Sequence, residues 1–425
     1  MLNLQGHKSR DMISLPLDIP NISVKRVSHN EHGDYIITVE STLAGTRCQY
    51  CGRELKQLHG HGRWIKVRHL SILGRRVYIR LRPKQYVCPH CGDRITTQKL
   101  SWYESRSPHT KAYDEHLMRS LVNSTVEDVH HKERLGYDAV VGALKRSVNN
   151  QVDWATFTEL GVLGIDEIAL TKGRKNYVAI ITTRQADGHV AILAVLPDRK
   201  KKTVRQFMES IPPRLRPTLN TVCTDMWDGY AKAVQEFAAA HPEVSLVVVT
   251  DRYHVAKNYR ECVDKVRKRE CRRLKQALPE TEYEPFKGLM WLVRKNNQDL
   301  TPEERVKLRR LFEYTPELKL AYTFREELTA TFEMPLTKAQ AEQRLRKWAA
   351  KVRRYGLSCF DTFLTTLDNW LDEIANYFTA RLNSGFVEGL NNKIKTLKRR
   401  CYGILRVSTL FQRLYLDLEG YRYFA

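Results

Sequence analysis

Between residues 159 and 251 the chain alternates short apolar stretches with polar turns. "ELGVLGIDEIAL" (159–170), "KNYVAIITT" (175–183) and "GHVAILAVLP" (188–197) predict three strands, and "KKTVRQFMESIP" (201–212) predicts a helix. "NTVCTDMWDGY" (220–230) starts as a buried strand and reaches Asp225, "YAKAVQEFAAAH" predicts a helix, and "EVSLVVVTD" (243–251) predicts a strand. Three strands, helix, strand, helix, strand is the order of a mixed sheet with helices on its faces. From about 254 to 380 the strand period gives way to helical spacing rich in Lys, Arg, Glu and Leu, predicting five or six helices. The stretch "FVEGLNNKIKTLKRR" (386–400) predicts a further helix, with Leu390, Ile394 and Leu397 on one side and Asn383 or Ser384 as its cap.

The N-terminal third reads differently. "WIKVRHLSILGRRVYIRLRPKQYV" alternates apolar and basic residues and predicts two strands joined around Gly74. "CQYCG" and "CPHCG" flank it, placing Cys48 and Cys51 opposite Cys88 and Cys91. Each Cys-x-x-Cys pair can turn two thiolates toward one ion, which suits a tetrahedral four-sulfur zinc site that folds a small module. Without a metal they would be four reduced thiols. Residues 110–122, 126–134 and 138–148 then predict three short helices, with Thr125 and Asp128 spaced to cap the second. Such a trio suits a helix-turn-helix with "YDAVVGALKR" as recognition helix; an ordinary helical linker would carry the same weak pattern.

Charge narrows the partners. Lys plus Arg is 71 against 48 Asp plus Glu, a formal net charge of +23 in 425 residues. A balance this basic points to a polyanion, nucleic acid first. The N-terminus lacks a signal-peptide core, and no apolar run approaches the roughly 18 residues of a membrane-spanning helix. No membrane partner is therefore expected. Five of the nine cysteines are scattered, which argues for metal rather than a disulfide framework.

Against that background, acids in apolar strands stand out. Asp166 interrupts one strand and Asp225 ends another. Clustered buried carboxylates repel unless a proton or a cation intervenes. With Mg²⁺ (or Mn²⁺) they form a hard-oxygen site, and Glu388, at the head of the basic helix, would complete it. Alone, Glu388 could simply favour the helix dipole. Three carboxylates holding two metal ions suit in-line attack on a phosphodiester. Lys395 lies two turns beyond Glu388, and Asn391, Asn392, Lys398, Arg399 and Arg400 extend a surface for DNA phosphates. Glu167 is expected on the opposite face of its strand. His254 is a possible accessory group, as proton shuttle or phosphate contact. Arg267, Lys268, Arg269, Arg272 and Arg273 suggest a DNA-facing side of the helical region. Trp291, Trp348 and Trp370 are expected to pack it, stacking on an unpaired base being the lesser reading.

"GIDEIALTKGRKNYVAIITT", "VCTDMWDGYAKAV", "DRYHVAKN" and "NSGFVEGLNNKIKTLKRRCYGI" resemble the blocks of the ISL-three family of bacterial insertion-sequence transposases. The Cys-x-x-Cys pairs and the three-helix segment resemble that family's N-terminal part, and the likeness spans about residues 45 to 420. It implies an α/β multidomain protein: a small zinc-binding β module, a helix-turn-helix, then an RNase H-like, retroviral integrase-type mixed-sheet core with an all-helical insertion. It implies a DDE triad of Asp166, Asp225 and Glu388. Where the family pattern commonly has an Asp after the second strand, this chain has Thr182 and Thr183. The implied organisation is an N-terminal segment (1–40), zinc module (41–100), helix-turn-helix (105–150), first core part (155–254), helical insertion (255–380) and C-terminal core helices (381–425). The implied function is Mg-dependent cleavage and strand transfer at terminal inverted repeats, in the cytoplasm at the bacterial nucleoid. Joining two ends needs a homodimer or larger assembly on DNA. A zinc-dependent DNA-binding regulator and a same-fold nuclease without strand transfer are the alternatives. An RNA-binding protein is disfavoured, because no aromatic-rich RNA motif is present.

Overall fold

The computed structural model describes residues 16–170, 177–381, 385–401, 403, 404 and 406–424, without the side chains of Met290, Ala380, residues 385–388 and Asn391. Two compact units result: residues 1–148 with 420–425, and residues 149–419.

In the first unit, β1 (Ile22–His29), β2 (Tyr35–Ser41), β7 (Arg75–Leu81) and β6 (Ile65–Ile72) form one sheet in that spatial order. Strands β6 and β7 are the pair expected around Gly74; β1 and β2 carried no such expectation. β1 is an edge strand whose middle residues are exposed on both faces, so its sequence shows little alternation. Ile37, Val39, Val67, Val77, Ile79 and Leu81 pack with Leu100 and Trp102 as this sheet's core. A smaller sheet of β5 (Leu58–His61), β8 (Lys84–Cys88) and β9 (Arg94–Thr97), with a clip of β3 (Thr46–Arg47) and β4 (Glu54–Leu55), carries the cysteines.

Three helices follow, α1 (Lys111–Leu121), α2 (Val126–Glu133) and α3 (Tyr137–Ser147). Thr125 and Asp128 cap α2 reciprocally, each side chain bonded to the other's backbone N–H. Asp114 of α1 is buried, 2.7 Å from His109 Nδ1 and 2.9 Å from both Nε and Nη2 of Arg146 in α3. Burial pushes its carboxyl up, but hydrogen bonds from His109 and Arg146 win and hold it below the usual range. Asp114→Ala leaves the Arg146 guanidinium and the His109 ring without their shared partner, so a loss of about 3 kcal/mol is expected, seen as an earlier denaturation midpoint for this unit. A depressed folded pKa means that this contribution is present at neutral pH and is lost as pH falls through the folded value. An unchanged midpoint at pH 7 would show that the three groups are solvated instead.

The second unit is built on a five-stranded sheet in the order β12 (Val190–Leu196), β11 (Tyr177–Arg184), β10 (Gly161–Ala169), β13 (Leu219–Thr224) and β14 (Val247–Thr250). The first three are antiparallel neighbours, while β10, β13 and β14 run parallel. The parallel crossovers are α4 (Lys201–Glu209) and α5 (Asp228–Ala240). Leu163 and Ile165 face a core shared with Val204, Phe207, Tyr230 and Phe237 of those helices. Ile168, Ile180 and Ile192 face the other way, onto Leu390, Ile394 and Leu397 of α13 (Gly385–Arg400) and Leu410, Phe411 and Leu414 of α14 (Val407–Phe424). Asp166 has the parity of Ile168 and so lies on the α13 side of β10.

Between β14 and α13 come α6 (Arg252–Ala277), the single turn α7 (Glu280–Tyr283), α8 (Pro302–Tyr314), α9 (Pro316–Glu333), α10 (Lys338–Arg354), α11 (Asp361–Asn369) and α12 (Leu371–Ala380). The expected helical region is present, and α12 returns to the sheet, Asn376 Nδ2 donating to the Val248 carbonyl at 2.8 Å. Trp348 and Trp370 are buried as expected, but Trp291 is 63% exposed. Among the described residues no helix is long and apolar enough to cross a membrane.

Candidate metal centres

The first centre is the cysteine cluster. Gly52 (φ +74°) and Gly92 (φ +66°) follow the two pairs in the left-handed region, where a Cβ would strain the turn. The turns bring the four Sγ atoms within 4.8 Å of one another, with Cys48–Cys91 at 3.9 Å and Cys51–Cys88 at 3.7 Å. A tetrahedron with Zn–S bonds of about 2.3 Å has edges of about 3.8 Å, so the thiols already stand near the spacing a zinc ion requires. A backbone hydrogen bond from Cys51 leads the causes that bring the Cys48 thiol down to about 6. Hydrogen bonding to Cys51 and burial push Cys91 up to about 12. One thiolate forms readily, and a bound cation would displace the remaining protons to solvent.

The basic residues around this module are largely used by the fold. Arg76 binds Asp34, while Arg75, Arg82 and Lys84 donate to the carbonyls of Gly33, Gly62 and Leu43. Arg80 lies over the exposed Trp64 ring, 4.4 Å from its centroid.

The second centre is acidic. Ile165 of β10 is paired with Thr224 of β13, and Thr224 with Thr250 of β14. Asp166, Asp225 and Asp251 therefore occupy the next position on three neighbouring parallel strands. The Asp251 N–H donates to the Thr224 carbonyl at 2.9 Å. Asp225 is half-buried, and its Oδ1 is shielded from solvent with no hydrogen-bond partner among the described residues. Burial pushes its carboxyl up to about 6, with Asp166 and Glu167 adding repulsion and His254 and Arg199 opposing it. An orphaned carboxylate oxygen beside a second acid is an arrangement that a divalent cation satisfies.

The neighbouring acids are otherwise occupied. Glu167 receives Arg199 Nη1 on both oxygens, at 3.1 and 2.9 Å, as its opposite-face position requires. Arg199 is fixed in turn over the rings of Trp227 (4.3 Å) and Tyr177 (4.8 Å). Asp251 caps α6 through the Tyr253 N–H at 3.0 Å, and His254 Nε2 stands 3.9 Å from its other oxygen. Asp228 pairs with Lys232 at 3.0 Å. Thr182 and Thr183 are buried and donate to β10-side carbonyls, Thr182 to Gly164 at 3.3 Å.

Glu388 lies on α13, but its side chain is outside the described residues, as are the side chain of Asn391 and the cap residues Asn383 and Ser384. Among the described residues, only the four cysteines and a surface trio of Glu127, His130 and His131 bring three ligand atoms within 4.8 Å. Asn392, Lys395 and Arg399 are exposed along α13. Lys398 donates instead to the Ala169 carbonyl and Arg400 pairs with Asp417, tying the helix to β10 and α14. The proposed basic side of α6 is also divided. Arg267 pairs with Asp264, Arg269 with Glu317 and Arg273 with Glu270. Lys268 stands 3.1 Å from Asp264, and Arg272 remains exposed.

The family model for the DDE domain of ISL-three transposases, described as a transposase, matches residues 163–414. A second, described as the zinc-finger of transposase IS204/IS1001/IS1096/IS1165, matches residues 44–91. The transposase for insertion sequence element IS1001 of Bordetella parapertussis is 28% identical over 389 residues, covering 90% of this chain and 91% of that protein. The transposase for IS1557 of Mycobacterium tuberculosis (strain CDC 1551 / Oshkosh) is 23% identical over 398 residues, 88% of this chain and 86% of that one. With a four-cysteine ribbon, a mixed-sheet α/β domain and a DDE-domain match across more than half its length, the chain belongs to the ISL-three family of insertion-sequence transposases.

Proposed function

We propose that the chain binds the terminal inverted repeats of its element and cuts and rejoins DNA there, with Asp166, Asp225 and Glu388 as its DDE triad. The observation that carries this reading is the adjacent placement of Asp166 and Asp225, together with the shielded Oδ1 of Asp225, which has no hydrogen-bond partner among the described residues. The sheet order, with three antiparallel strands followed by two parallel ones, supports an RNase H-like core. The face of β10 that carries Asp166 packs on the helix that carries Glu388, which supports the third member.

Asp166, Asp225 and Glu388 would hold the catalytic cation. Mg²⁺ or Mn²⁺ bound there would polarise the phosphodiester and lower the pKa of the attacking water or 3′-hydroxyl. The Arg199 clamp keeps Glu167 out of that set. His254, 3.9 Å from Asp251, would serve as proton shuttle or phosphate contact. Asn392, Lys395 and Arg399 would hold the DNA backbone beside the acids, while Lys398 and Arg400 keep the helix in place. The ribbon and the three helices α1 to α3, read as a helix-turn-helix, would recognise the ends. Two ends must meet, so a dimer or larger assembly on DNA follows from the reaction, in the cytoplasmic compartment that holds the chromosome.

The test is a plasmid carrying the element's own flanks around a marker, incubated with purified protein with and without Mg²⁺. New 3′ ends at the element boundaries and joined products are expected only with the metal. Cuts without joining would leave a nuclease. Specific binding without cuts, where assembly on the ends is demonstrated, would leave a regulator.

A further inference from the structure

Helix α2 carries a second set of metal-ligand side chains, apart from the four cysteines. Glu127, His130 and His131 each bring one ligand atom within 4.8 Å of the other two. The spacing follows from the helix, because residues three and four apart share a face and Glu127 therefore meets both histidines. Glu127 Oε1 stands 3.0 Å from His131 Nε2, and the two imidazole rings lie with their centroids 4.5 Å apart. A tetrahedral zinc ion with bonds of about 2.0–2.2 Å to nitrogen and oxygen needs ligand atoms about 3.4 Å apart, so small side-chain rotations close the set.

Surface histidines and glutamates often meet without an ion, and the Glu127–His131 pair alone would be one such contact. His130 sets this trio apart. Its Nδ1 is hydrogen-bonded to the Leu135 carbonyl. A carbonyl only accepts, so Nδ1 carries the proton and the neutral ring keeps its lone pair on Nε2. Proteins hold metal-binding imidazoles in this way, with the other ring nitrogen donating to a backbone oxygen. Leu135 is also held through its own N–H, which donates to the His130 carbonyl at 3.1 Å. Arg134 between them (φ +52°) turns the chain in the left-handed region, its N–H on the His131 carbonyl at 3.2 Å. Both histidines thus belong to the turn that ends α2, and α3 begins at Tyr137. Glu127 sits in the first turn of α2, which the reciprocal Thr125–Asp128 cap fixes.

We propose that Glu127, His130 and His131 form a second cation site, for zinc or a similar borderline transition ion, and that its occupancy clamps the turn between α2 and α3. Two imidazoles and a carboxylate suit such ions rather than Mg²⁺, and the fourth vertex is left to water. Lacking thiolates, the site is weaker than the ribbon, so protein purified without added zinc is expected to carry the ribbon ion alone. The proposal stands independently of the acidic centre. Full-length protein with its ribbon zinc is titrated with zinc chloride in Mg-saturated buffer, and uptake is read by competition with a weak zinc dye. Wild type is expected to take up one equivalent more than Glu127→Gln or His131→Ala at the same free zinc, each substitution weakening that step at least about tenfold. Lys132→Ala, on the same helix, should keep it. Glu127, His131 and Lys132 are all exposed, so these variants should fold. With free zinc at about ten times the dissociation constant, exchange of the Arg134 and Leu135 amide hydrogens should slow about tenfold in wild type and stay unchanged in Glu127→Gln. The added ion should also shield His130 and His131 from diethyl pyrocarbonate, located by peptide mapping. Equal uptake by wild type and both variants, or an extra ion bound with no change at the turn, would overturn the proposal.

Discussion

Asp225→Asn is expected to lower DNA cleavage by about 10³-fold or more while making the Mg-free protein more stable at neutral pH. The two effects share one cause. Asp225 is held where a carboxylate is unwelcome, one oxygen shielded from solvent and the negative charges of Asp166 and Glu167 nearby. Its pKa rises from 3.8 to about 6, which corresponds to up to about 3 kcal/mol of penalty on the charged form. Because the folded value exceeds the unfolded one, the favourable contribution is complete below about pH 4 and is lost as pH rises through about 6. Asparagine has no such titration. The urea midpoints of variant and wild type should thus converge near pH 4 and separate above pH 6 when Mg²⁺ is withheld. Saturating Mg²⁺ should reverse the order, since the cation rewards only the carboxylate. Loss of a metal-binding charge removes several kcal/mol of transition-state stabilisation, hence the loss in rate. A variant that cuts the element ends at the wild-type rate would remove Asp225 from the catalytic set. One that is less stable than wild type at pH 7 without Mg²⁺ would show that the carboxylate is not strained.

How far the sequence disclosed this centre depends on what each residue had to reveal. Asp166 and Asp225 were legible because an acid in an apolar strand breaks a two-residue period, and both strands were found within a few residues of their observed limits. Their adjacency was not legible. It depends on β13 crossing over to pair with β10 in parallel, and pairing partners are set by tertiary packing rather than by local pattern. The same limit hid Asp251's place in the row. Arg199 was missed outright: it lies in a polar loop, and only the fold brings it between Glu167, Tyr177 and Trp227. Basic runs were over-read in the other direction. Composition shows a charge but not its partner, and Lys398, Arg400, Arg267 and Arg273 are spent on carbonyls and acids within the chain. Trp291 shows how weak a lone aromatic is as a sign of core. In a 3₁₀ segment with no helical face, Leu292 and Val293 after it were buried and it was not.

Removal of zinc should unfold the cysteine ribbon and leave the mixed sheet standing. The ribbon's own core is Cys48, Leu55, Tyr86 and Cys88, too little apolar surface to order the surrounding loops by itself. The ion supplies the difference, on the order of 10–16 kcal/mol for a site of this kind near pH 7. The metal must displace thiol protons, one from Cys48 near pH 6 and others held as high as about 12 at Cys91, so affinity should fall steeply with acidity. A strong chelator should therefore release one zinc per chain and collapse hydrogen-exchange protection in β8 and β9, while β10 to β14 keep theirs. Cobalt(II) restored to the apo protein should give the thiolate charge-transfer absorption of a four-sulfur site, and Cys88→Ser, at a buried ligand, should reduce it. Protection in β8 and β9 that survives chelation would mean that these thiols are structural without a metal. The two halves of the chain then part experimentally. If the ribbon reads the element ends, the zinc-stripped protein should keep Mg-dependent nicking of any DNA and lose its preference for its own boundaries. If it merely adds charge, nicking and preference should fall together.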